Sequence, residues 1–106
     1  MPLSAVERFV LAHILYEYGG KLYIASSGEE PEETLAGFLA EDFLPSSDRR
    51  YTRVREAFKG ALVSLRDKWM IEVRGYEAIL TPVGRREAEK LSREEYENLR
   101  ERFSSR

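Results

Sequence analysis

Three observations place this 106-residue chain in the α+β class. First, Tyr51, Val54, Phe58, Ala61, Leu62, Leu65 and Trp69 recur every three or four residues. At about 100° per residue all seven lie within roughly 60° of Phe58, which predicts one apolar stripe on a helix of about five turns. Second, MIEV (70–73) and YEAIL (76–80) read as two short strands joined at Arg74-Gly75, a hairpin signal. Third, the segments on both sides of this core carry helical patterns of their own.

Taken in order, the first helix runs from Ser4 to Tyr18. Ser4 and Glu7 form a capping-box pair, and Gly19-Gly20 stops the helix by accepting a left-handed conformation cheaply. From Phe9 to Tyr16 it is apolar nearly all round, so one face goes to its own core and the other is left for the C-terminal segment or a second subunit to cover. KLYIAS (21–26) alternates as a small strand expected beside the hairpin. SGEEPEE leads into a second helix with Pro31 in its first turn and its glutamates at the positive end of the dipole. Leu35, Phe38, Leu39 and Phe43 give that helix a core face, and Leu44-Pro45 ends it. Ser47 or Asp48 is the expected N-cap of the third helix. Thr81 and Pro82 start a fourth helix, VGRREAEKL, which either continues to Phe103 or, as the second capping pattern at Ser92 and Glu95 favours, bends before a last piece carrying Tyr96, Leu99 and Phe103.

ALVSLRDKWMIEV followed by YEAILTPVGRREAEKL resembles the second half of the winged helix-turn-helix domains of small bacterial and archaeal transcription regulators. Leu65, Met70, Ile71, Leu80, Thr81, Gly84 and Arg85 match that pattern, while Trp69 stands where a Gly usually closes the recognition helix. The likeness covers about residues 50–91, and the first 48 only by the order of elements. It implies a single winged-helix domain over 1–106: a three-helix core, a small antiparallel sheet with a hairpin wing, and a C-terminal helical segment at 82–103. It further implies a sequence-specific DNA-binding transcription regulator, with the third helix in the major groove of double-stranded DNA. Winged helices also serve as protein-interaction modules, which is the competing reading.

Composition sharpens this choice. Net charge is −2, but residues 1–48 carry −7, residues 49–86 carry +6 and residues 87–106 carry −1. Positive charge is thus concentrated around the third helix, as a nucleic-acid footprint requires. Arg49, Arg50, Thr52, Arg53, Arg55, Glu56 and Lys59 are the candidate DNA contacts on that helix, with Arg74 at the wing tip. Arginine forks onto phosphate oxygens or guanine edges, and Glu56 is suited to accept from a cytosine amino group. Gly60, Val63 and Ser64 add a small-residue patch on the same outward face.

Other chemistries lack their signatures. There is no cysteine, phosphate loop, dinucleotide fingerprint or zinc spacing, so neither enzyme nor cofactor is expected. His13, the single histidine, reads as a half-buried packing residue, and Glu72 and Glu77 as facing carboxylates on a wing without a cleft. Gln is absent and Asn occurs once, at Asn98, a bias seen in proteins from hot environments. The longest apolar run, FVLAHILY, is far short of the roughly 20 residues that span a bilayer, and no leader pattern opens the chain, so a cytoplasmic protein without membrane contact is expected. The apolar surplus of the first helix and the last segment predicts a homodimer through Phe9, Leu11, Leu15, Tyr96, Leu99 and Phe103.

Overall fold

The computed structural model describes residues 3–23, 31–75 and 77–104, with the side chains of 103 and 104 excepted. The predicted order is present: α1 (Ala5–Tyr18), β1 (Lys21–Tyr23), α2 (Pro31–Glu41), α3 (Tyr51–Asp67), β2 (Ile71–Arg74), β3 (Glu77–Leu80), α4 (Pro82–Glu89) and α5 (Arg93–Ser104). The expected strand residues 24–26 and Tyr76, the glutamates 29 and 30, and the Phe103 side chain lie outside the described residues.

Local chemistry sets most boundaries. The Ser4 hydroxyl accepts from the Glu7 amide at 3.1 Å and the Glu7 carboxylate accepts from the Ser4 amide at 2.7 Å, closing the capping box of α1. Gly19 ends the helix at φ +68°. The same reciprocal pair at Ser92 and Glu95 opens α5, so the C-terminal segment does bend there. Thr81 caps α4 by accepting from the Gly84 amide at 3.0 Å. α3 begins differently from expectation. Arg50 is its N-cap in an α-helical conformation, and neither Ser47 nor Asp48 caps it. A tight turn precedes the helix, and in it Asp48 accepts from the Arg50 amide at 2.8 Å.

The sheet is antiparallel with order β1-β3-β2. Leu22, Ile71, Val73, Ala78 and Leu80 share its inner face, and Lys21, Tyr23, Glu72, Arg74, Glu77 and Ile79 its outer face. Glu72 lies opposite Ile79 and Arg74 opposite Glu77, so the two glutamates do not face each other as expected. Pairing is set by a register that brings opposite charges, not like ones, across the hairpin.

α1 is the hub. It packs against α3, α4 and α5, and its apolar circumference is covered within the chain. Phe9 stacks on Tyr96 at 5.5 Å between ring centroids and also meets Phe43 and Phe58. Phe9, Leu11 and Tyr96, expected at a subunit contact, are therefore buried inside one chain, because α5 folds back over α1. Leu15 and Leu99 are half-buried against the same core. On α3 the predicted stripe faces inward, with Phe58, Ala61, Leu62 and Leu65 buried and Tyr51 and Val54 packed beside them.

Trp69 departs from the stripe. The helix ends at Asp67, and Trp69 sits beyond it at φ +61° with 74 % of its surface exposed. Its amide donates to the Arg66 carbonyl at 3.1 Å, and the Met70 amide reaches the Leu65 carbonyl at 2.9 Å. These two bonds make a Schellman closure with Trp69 at the left-handed position that glycine normally fills. The left-handed residue turns the chain out of the helical screw, so the 100° spacing no longer says where the indole points.

Candidate nucleic-acid interface

The outward face of α3 presents Thr52, Arg53, Glu56 and Gly60 to solvent, with Arg49 exposed just ahead of it. Arg49 and Arg53 make no hydrogen bond or ion pair with any described residue. They are the two predicted contacts whose guanidinium groups stay available.

The other predicted cations are engaged. Arg50 forks onto Asp48, with Nε 3.1 Å from Oδ1 and Nη2 3.0 Å from Oδ2. Those bonds, with that from the Arg50 amide, hold the Asp48 carboxyl down at about 2. Arg55 and Lys59 turn toward α2, where both meet Glu33: Lys59 Nζ is 2.6 Å from Oε1, and Arg55 Nη2 is 3.4 Å from Oε2. The Lys59 bond, aided by the charges of Lys59 and Arg55 and opposed by burial, lowers the Glu33 pKa. Arg74 reaches back along its own strand to Glu72 at 3.1 Å. Two further cations of the basic segment are spent on structure. Arg66 pairs with Glu32 at the start of α2, and Lys68 with the buried Glu7 at 3.0 Å. The +6 segment is thus largely neutralised by the −7 segment that precedes it.

Gly60 opens onto free space, with no atom within 4 Å of where a Cβ would stand. A shallow groove lined by Glu56, Lys59, Gly60, Val63, Ser64, Asp67 and Lys68 follows the helix there. Gly84, one of the residues behind the resemblance, has a packing cause: a Cβ at that position would stand 1.8 Å from the Met70 carbonyl oxygen.

Sequence reasoning missed a polar cluster under α5. His13 is 2 % exposed, so it is a core residue and not the half-buried one expected. Its Nδ1 lies 2.5 Å from the Tyr96 hydroxyl and its Nε2 2.9 Å from Asp42 Oδ2. Asp42 also accepts from Tyr18 at 2.7 Å, and Tyr96 donates to Glu17 at 2.9 Å. These four contacts need four protons. Two hydroxyls and a neutral imidazole supply three, and an imidazolium supplies all four. Burial acts against that charge and wins over Asp42 and Glu17, so the His13 pKa is lowered. Burial likewise raises both tyrosines, Tyr18 and Tyr96. The cluster ties α1 to the end of α2 and to α5, with His13 and Tyr96 buried, Asp42 and Tyr18 half-buried and Glu17 at the surface.

Among the described residues, no helix is long and apolar enough to cross a membrane. Comparison with protein-family models, with curated proteins and with solved structures finds no match to this chain.

Proposed function

We propose that this chain is a winged-helix DNA-binding protein acting in transcription regulation, with α3 as the recognition helix and the β2–β3 hairpin as a short wing. The observation that carries the reading is the outward face of α3. Arg49 and Arg53 stand exposed and unpaired among the described residues, beside exposed Thr52 and Glu56, on the side away from the core stripe. Arg74 joins them, since an exposed ion pair such as Arg74–Glu72 contributes about 0–1 kcal/mol and yields readily to phosphate. No catalytic role belongs to this reading.

Titrating a fluorescent random duplex by anisotropy at several salt concentrations tests it. Each phosphate contact contributes about −0.9 to the slope of log affinity against log salt, so these three arginines give a slope near −3 per chain. Replacing Arg49 and Arg53 together by Ala should flatten it by about two units, whereas Glu56→Ala should alter sequence preference more than salt slope. Absence of binding to any duplex at low salt, with the protein folded, defeats the reading. The competing one, a protein-interaction module, then takes its place. It is favoured by the pairing of Arg50, Arg55, Lys59, Arg66 and Lys68 with acidic side chains.

A further inference from the structure

We propose that the free edge of β2 is a self-association surface, on which a second copy of this chain lays its own β2 antiparallel about a two-fold axis at Val73. The inference stands on the sheet alone and does not depend on DNA binding.

Among the described residues, the order β1-β3-β2 leaves β2 with one unpaired side. The Met70 carbonyl accepts from the Thr81 amide at 3.0 Å, which fixes the alternation along the pair. Glu72 and Arg74 therefore direct their peptide groups at β3, and Ile71 and Val73 direct theirs outward. Outward N–H and C=O groups on an edge strand are a template for another strand. Ile71 is fully buried, so the accessible part of the edge is at half-buried Val73, beside a groove of about 530 Å³ lined by Arg66, Asp67, Trp69, Ile71, Glu72 and Val73. The wall is stiffly mounted. Trp69 is fixed on its N–H side by Arg66 and on its carbonyl by the Thr81 hydroxyl at 2.6 Å, so the exposed indole is presented on an ordered backbone. A preordered aromatic loses little freedom on contact.

Charge selects the occupant and the register. An axis at Val73 sets the outward peptide groups of Val73 against themselves and puts Glu72 directly opposite Arg74 of the second copy, twice by symmetry. Both side chains stand on the solvent-facing side of the sheet, and both are exposed. An axis at Glu72 would instead set two carboxylates face to face, which is unfavourable. The strand is only four residues long, so the contact is small and the association weak.

Sedimentation velocity from about 10 μM to about 1 mM, with Trp69 emission recorded on the same samples, tests this. Trp69 is the single tryptophan, so its emission reports the groove and nothing else. The mass should rise from 12.3 kDa toward twice that value as emission shifts to the blue. Glu72→Arg alone should weaken association at least tenfold, and the Glu72→Arg, Arg74→Glu pair should restore it. Thermal melts confirm that these surface variants remain folded. A mass that stays near 12.3 kDa throughout overturns the proposal and leaves the edge to a strand from another protein. Association that ignores the charge reversal overturns it too, by placing the contact elsewhere.

Discussion

Replacing Glu7 by Gln tests the electrostatic lock between α1 and the end of α3. Glu7 is 5 % exposed, and its carboxylate accepts from the Ser4 amide and from Lys68 Nζ at 3.0 Å. Burial raises its pKa, but bonds from the Ser4 amide, the Ser64 hydroxyl and Lys68 outweigh that and bring it down to about 2, against 4.5 ordinarily. A carboxyl depressed on folding contributes stability above its unfolded pKa and loses it as pH falls through the folded value. Here the full contribution is about 3 kcal/mol at neutral pH, of which about 2 kcal/mol disappears between pH 7 and pH 3. Gln keeps the size and an acceptor for Ser4 but cannot ionise. The variant should therefore be less stable at pH 7 by about 1–3 kcal/mol, and its stability should fall less on acidification. Urea unfolding of both proteins at pH 7, 5 and 3 measures this. If wild type and Glu7→Gln lose the same stability between pH 7 and pH 3, the lock assigned to Glu7 and Lys68 is refuted.

Other expectations follow from packing and backbone geometry. Leu62 is fully buried at the centre of the α3 stripe, so Leu62→Ala should cost about 2–5 kcal/mol in chemical unfolding, and a loss below about 1 kcal/mol would contradict the burial. Trp69→Gly should leave stability unchanged or raise it by up to about 1 kcal/mol, because Gly adopts φ +61° without strain and little buried surface is lost. A loss beyond about 1 kcal/mol in thermal or urea unfolding would show that the indole packs. Tyr96→Phe removes the hydroxyl that donates to Glu17 and lies 2.5 Å from His13 Nδ1, and should cost about 1–3 kcal/mol. With its pKa lowered by burial, His13 favours the neutral form in the folded chain, so stability should decline as pH drops below about 6.5. An NMR titration of the imidazole checks this, and a midpoint above 6.5 would reverse the sign.

What the sequence by itself determined is what acts over a few residues. Capping boxes at Ser4–Glu7 and Ser92–Glu95 close within three residues, the hairpin turns one residue past the expected start, with Arg74 still in β2 opposite Glu77, and the α3 stripe repeats every three or four. Each depends on neighbours whose spacing is written in the chain, so α+β class, element order and the inward face of α3 were legible. Tertiary structure alone decided how charge and apolar surface were spent. Lys59 meets a carboxylate 26 positions away, and Lys68 one 61 away. His13 meets Tyr96 across 83 residues. Composition counted Arg55 and Lys59 as free cations for DNA, and only the approach of α2 to α3 ties them to Glu33. Periodicity put Trp69 in the core, and only the left-handed closure of α3 turned it out. The surplus on α1 was visible, but its cover was a helix from the same chain, because the bend at Ser92 aims α5 back across Phe9 and His13. Long-range pairing depends on where elements meet in space, and local spacing does not encode that.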